Sequence, residues 1–119
     1  MKTNIDFPRQ VFQGANFDVT LTVDAVLTGY KVRCEIFDEQ DNSATLANTA
    51  AGGANAQITL TPGASTSTIV VYVAKNTTTI FKENSWFEVE VEDANGKITP
   101  LCSIGFKMLA KKITWTTKS

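Results

Sequence analysis

Histidine is missing from this chain altogether. Its absence removes the usual general base, the Ser-His-Asp arrangement and the commonest zinc ligand. Cysteine is scarce: Cys34 and Cys102 are too few and too far apart for a zinc ribbon. An excess of charge of one sign is lacking too. With 11 Lys and Arg against 12 Asp and Glu, the net charge is −1. That balance argues against a nucleic-acid binder, which normally carries a basic stripe, and against an anionic membrane surface as partner. No run approaches the roughly 18 apolar residues of a membrane-spanning helix. The opening Met1-Lys2-Thr3-Asn4-Ile5-Asp6 shows no apolar stretch of a secretory signal.

What is present points to strands. The 119 residues suit one domain over 1–119, and 43% hydrophobic with 19% charged residues is a globular composition. Val, Ile, Thr and the aromatics make up 46 residues, whereas Leu, Met and Gln together reach only 12. Such a balance favours β-structure. Alternation then places the strands. In Asn16 to Asp24, Phe17, Val19, Leu21 and Val23 oppose Asp18, Thr20, Thr22 and Asp24. In Tyr30 to Ile36, Tyr30, Val32, Cys34 and Ile36 oppose Lys31, Arg33 and Glu35. In Ser85 to Asp93, Phe87, Val89 and Val91 oppose Glu88, Glu90 and Glu92, and Ile98, Cys102, Ile104, Phe106 and Met108 repeat the pattern. Period-two alternation puts one face in a core and one in water, the antiparallel arrangement. Thr68 to Ala74 is apolar on both faces, which predicts a strand buried between layers.

Turn chemistry separates these runs. Gln13-Gly14-Ala15-Asn16 and Leu27-Thr28-Gly29-Tyr30 supply glycine where the backbone needs positive φ. Asp93-Ala94-Asn95-Gly96 is the strongest hairpin signal. Asp38 to Ser43 and Thr49 to Asn55 read as loops, and Asn76 to Glu83 as either a helical turn capped by Asn76 or an ordered crossover. Asn76-Thr77-Thr78 matches a glycosylation acceptor but reads as a Thr-rich loop. About eight short strands predict a sandwich.

Candidate chemistry is sparse. The two cysteines fall on inward faces of separate strands, a placement that would suit a disulfide between two sheets. Asn48 stands where a supporting Trp would be needed, about fourteen residues after the first cysteine. With no export signal, both are read as free buried thiols. Asp38, Glu39 and Asp41 could ligate calcium, but no loop of calcium-site length follows, so they read as a solvated hairpin end. Glu88, Glu90 and Glu92 form a carboxylate row for which Lys31, Lys107 and Lys111 are candidate cross-sheet partners. Trp86 falls on that same outward side and Trp115 lies near the C-terminal end; both are candidates for contact with protein or glycan. No nucleophile–base pair and no phosphate cradle emerges. The expectation is no enzyme activity, no cofactor and no metal.

Several segments together resemble a known group. Phe12-Gln13-Gly14-Ala15-Asn16-Phe17, the strand Val19 to Val23 and Leu27-Thr28-Gly29-Tyr30-Lys31-Val32-Arg33 resemble the opening of small immunoglobulin-like domains in tailed-bacteriophage structural proteins. That opening runs "QGDTF", an alternating strand, then "DLTGY". Ala56-Gln57-Ile58-Thr59-Leu60-Thr61 is similar to the group's "GxITL" strand, and Phe87 to Asp93 with Gly96-Lys97 to its "YxYDLExxDxxGxV" hairpin. Gly105 and Ile113-Thr114 match its last strand. Ala15 replaces the group's Asp, and the segment between Val23 and Leu27 is shortened.

The resemblance implies an all-β fold, an immunoglobulin-like antiparallel β-sandwich of about seven to nine strands with short terminal arms. It implies a non-enzymatic structural component of a phage virion (tail, baseplate, neck or fibre attachment), assembled in the host cytoplasm. Partners would be other virion proteins in a homo-oligomer or ring, with no nucleic acid and no membrane. Lys2 to Arg9 and Lys111 to Ser119 are the candidate arms. Phe7, Arg9, Trp86, Lys111, Lys112 and Trp115 are the candidate contact surface. The alternatives are a carbohydrate-binding or adhesin module using Trp86 and Trp115, and a capsid decoration protein.

Overall fold

A computed structural model describes residues 1–8, 10–48, 56–74, 78 and 81–110, with the side chains of 56 and 57 outside the description. Among the described residues all nine elements are strands: β1 Thr3–Asp6, β2 Gln10–Phe12, β3 Phe17–Val23, β4 Lys31–Asp38, β5 Ser43–Ala47, β6 Ala56–Thr61, β7 Ser67–Val73, β8 Asn84–Glu92 and β9 Ile98–Leu109. They form two sheets, one ordered β1-β3-β7-β6 and the other β2-β9-β8-β4-β5. Every pairing is antiparallel except β2 with β9. The protein is all-β, and the two sheets share one core, an arrangement compatible with a β-sandwich.

The alternating runs supply that core. Val19, Leu21 and Val23 of β3, beside Ile69, Val71 and Val73 of β7 in the same sheet, share the core with Cys34 and Ile36 of β4 and Phe87 of β8, all without solvent exposure. The turns follow their chemistry. Gly14, Gly29 and Gly96 have φ of 74°, 79° and 83°, in the region open to glycine at no steric cost. In the β8–β9 turn the Asp93 carboxylate accepts from the amides of Asn95 and Lys97, both at 2.9 Å. A buried serine does similar work between β3 and β4: Ser67 Oγ accepts from Leu27 N at 3.0 Å and donates to Ala25 O at 2.8 Å. That satisfies the backbone of a short connection beneath Leu27.

Three expectations need correction. First, the described part of the candidate arm Lys2 to Arg9 is docked into the fold, Arg9 itself lying outside the described residues. Thr3 to Asp6 pair with β3 from Thr3↔Val23 to Asp6↔Thr20, and after Pro8 the chain enters the other sheet, where Gln10↔Lys107 opens the parallel pair with β9. Phe7 lies between, its ring centroid 5.1 Å from Phe106, 5.2 Å from Phe87 and 6.0 Å from Phe17. Short strands of three and four residues carry too little alternation to be read.

Second, β7 is not buried between layers. Its odd residues face the core, while Tyr72 is 41% exposed and Val70 lies half-buried between Thr20 and Thr59 on the outer surface. A central strand packs β-branched neighbours on its solvent face as well. Third, Ile98 does not continue the inward row. Val89 pairs with Cys102 but Glu90 with Pro100, so Leu101 is the extra residue of a bulge. The bulge reverses the parity and leaves Ile98 50% exposed.

The cysteines, read as free thiols, stand in one sheet, a placement that does not suit a disulfide between two sheets. Cys34 and Cys102 flank Val89 on either side of β8. Two strand spacings, roughly 10 Å, exceed the reach of a disulfide. Both thiols are free. Of the segments read as loops or crossover, 49–55 and most of 75–80 lie outside the described residues.

Candidate functional site

The outward side chains of β4, β8 and β9 build one surface. Registered rows cross it: Phe37–Trp86–Gly105, then Glu35–Glu88–Ser103, Arg33–Glu90–Pro100 and Lys31–Glu92–Ile98. Trp86 is half-buried. Its indole lies 5.7 Å from the Phe37 ring at an interplanar angle of 16°. Toward β9 the indole occupies the space above Gly105, where a Cβ would stand 3.6 Å from Cδ1 and Nε1. Trp86, with Gly105 and Phe106, lines a cleft of about 450 Å³ rimmed by Glu39, Asn84 and Lys107.

The rim is pre-bonded. Lys107 Nζ donates to Asn84 Oδ1 at 2.6 Å, and Asn84 Nδ2 donates to Glu39 Oε2 at 2.8 Å. In the next row Ser103 Oγ donates to Glu88 Oε2 at 2.9 Å. A second cleft of about 550 Å³ adjoins that row, lined by Arg33, Glu35, Glu88, Glu90, Leu101 and Cys102 among others. The bulge and the small outward residues Ser103 and Gly105 leave β9 low beside the taller side chains of β8.

The carboxylate row is only partly paired. Glu92 meets Lys31 at 3.8 Å, an exposed pair worth little to stability. Lys107 goes to Asn84, and Lys111 lies outside the described residues. Glu88 stands directly opposite Glu35, and among the described residues no cation lies within ion-pair distance of either. Like charges placed so are mutually unfavourable.

The acidic hairpin end has a different occupation. Asp38, 4% exposed, sits under its own turn near the periphery of the molecule. Its Oδ1 accepts from the amides of Gln40 and Asn42 at 2.9 and 3.0 Å; its Oδ2 accepts from Asn42 Nδ2 at 2.8 Å and Lys82 N at 2.7 Å. Burial alone would push this carboxyl up, but those four donors outweigh it and hold the pKa below the ordinary Asp value. With its lone pairs committed, Asp38 ties β4 to the approach of β8. Among the described residues, no group of three or more potential ligands could hold a metal ion.

The thiols are chemically quiet. Burial pushes Cys34 well above its ordinary pKa, and Cys102 and Glu35 add to the shift. Burial also raises Cys102, against a hydrogen bond with the Val89 backbone, and Glu88 adds to it. Neutral, shielded thiols are poor nucleophiles.

Of the six contact residues expected from sequence, Trp86 is placed on this surface. Phe7 packs against the core, and Arg9, Lys111, Lys112 and Trp115 lie outside the described residues. Sequence reasoning missed Phe37 and the link between Trp86 and Gly105. The signal was there for Phe37: it continues the outward parity of Lys31, Arg33 and Glu35, one residue beyond the run taken as a strand. The chain matches no known family model, and no curated protein is significantly similar to it.

Proposed function

We propose that this chain is an immunoglobulin-like domain serving as a non-enzymatic structural component of a tailed-phage virion. The observation that carries the fold part is strand order. One immunoglobulin sheet runs A-B-E-D, matching β1-β3-β7-β6; the other contains G, F and C in succession, matching β9-β8-β4. The first strand divided between the sheets, as β1 and β2, and the extra edge β5 are compatible additions to that plan. The phage setting rests on the sequence resemblance in the turns at Gly14 and Gly29 and in the β8–β9 hairpin.

The function is assembly, through sheet edges. An edge presents unpaired backbone groups that must be protected or used. The edge strand β6, Ala56 to Thr61, carries neither charge nor proline, whereas β9 bears Pro100 and a bulge on its unpaired stretch. A net charge of −1 does little to keep subunits apart. Partners are other virion proteins, in symmetric or ring-like contacts. The test is to purify intact particles from infected cells and fractionate tails from capsids. The protein is expected in the tail fraction, and its recombinant form is expected to self-associate or be retained by a tail protein. A monomer at high concentration that is absent from particles would overturn the reading.

A further inference from the structure

The outer face of the five-stranded sheet carries a site that assembly through strand edges does not use. We propose that the Trp86 cleft binds a neutral saccharide ring. The floor comes first. Trp86 is stacked on Phe37 at an interplanar angle of 16°, so Phe37 braces the indole from the β4 side while the indole itself lines the cleft. The negative face of an aromatic ring attracts the polarised C–H groups that line one face of a pyranose. Gly105 keeps the floor in place: a Cβ there would just touch the indole, and any longer side chain would displace it.

The rim supplies the hydrogen bonds. The Lys107–Asn84–Glu39 relay is formed before any ligand arrives, so its free valences are already oriented. The ammonium has donors to spare and the Glu39 carboxylate has acceptors. The indole Nε1–H has no hydrogen-bond partner among the described residues, and no buried polar atom there is left unsatisfied, so this donor faces water.

Charge and cost then select the occupant. One carboxylate, Glu39, and one ammonium, Lys107, border the cleft, so it offers no excess positive charge to sulfated or carboxylated glycans or to phosphates. A protein partner seated here would have to desolvate both charges and pair each of them. A sugar ring covers the indole while its equatorial hydroxyls meet the rim at the water's edge. The volume, about 450 Å³, falls in the range of small-molecule sites and takes one or two rings.

The experiment uses the full chain with Trp115→Phe, so that Trp86 alone reports. Its fluorescence is titrated with neutral gluco-, galacto-, xylo- and N-acetylglucosamine oligosaccharides, with heparin as the anionic comparison. At least one neutral series is expected to shift the emission saturably with a Kd of roughly 1 mM or tighter. Binding of the same oligosaccharide, followed by calorimetry, should fall about tenfold or more in Trp86→Ala and severalfold in Glu39→Gln. Trp86→Phe should restore part of it, which a purely structural loss would not allow. Melting curves of each variant separate lost binding from lost fold. No response to any neutral series, a preference for heparin, or full binding by a folded Trp86→Ala variant would each overturn the proposal. None of these outcomes bears on whether the protein is found in tails.

Discussion

Replacing Asp38 by Asn tests how the hairpin end is held. The two side chains have nearly the same volume, so no cavity forms. The amide oxygen can keep the two bonds that Oδ1 makes to Gln40 N and Asn42 N. The amide nitrogen then faces two donors, Asn42 Nδ2 and Lys82 N, where Oδ2 accepted at 2.8 and 2.7 Å. Two bonds to a charged acceptor are worth about 1.5–3 kcal/mol each. The site lies near the periphery, where water and local rotation recover part of the loss, so about 2–4 kcal/mol is expected. For a domain of this size that lowers Tm by roughly 8–16 °C. The pH dependence has a fixed sign. Because the folded pKa lies below the unfolded one, the carboxylate's contribution is complete above the unfolded Asp value and is lost as pH falls through the folded pKa. Urea unfolding of both proteins, from near pH 7 to about pH 2, should show the gap close in acid. A variant within about 0.5 kcal/mol of the parent near neutrality, or a gap that persists unchanged in acid, would refute the account.

Phe7→Ala should cost about 2–3 kcal/mol in denaturant unfolding, less than a fully buried Phe because the ring is half-exposed; no loss would mean that the N-terminal segment is not docked. Gly96→Ala should cost about 1–2 kcal/mol from backbone conformation alone, since its Cβ would meet nothing within 4 Å. Gly105→Ala is the contrast, expected within about 0.5 kcal/mol, because there the Cβ only reaches ordinary contact with the indole. Alkylation of native protein without reductant should label Cys102 slowly and Cys34 only on unfolding. A mass lower by two hydrogens, with neither cysteine labelled, would contradict the placement on either side of β8.

The long strands were legible because each has one wet and one dry face. The runs at Phe17–Val23 and Phe87–Val91 were read with the correct faces, and Asp93–Gly96 with the correct turn. What escaped was whatever local alternation does not encode. Nothing in Thr3 to Phe12 announces that one half pairs with β3 and the other with β9. A bulge adds one residue without changing composition, so Ile98 carried the pattern of a core residue. The site shows the same division. Trp86 was visible as an outward aromatic, but its floor depends on Phe37 and Gly105, which lie 49 and 19 positions away in the chain and meet it only through strand register.

The parallel pairing of β2 with β9 governs how the domain responds to mechanical tension. A pull on the segment before β2 enters that strand at Gln10, while a pull on the segment after β9 enters at Leu109. In a parallel pair these are opposite ends of the bonded stretch. Once β1 has detached from β3, stretching therefore slides β2 along β9. The bonds from Gln10 to Phe12, with that from Gln13 N to Leu109 O at 2.8 Å, are strained together instead of parting one by one. An antiparallel hairpin pulled from its open end would unzip; this geometry resists in shear, and does so with three residue pairs.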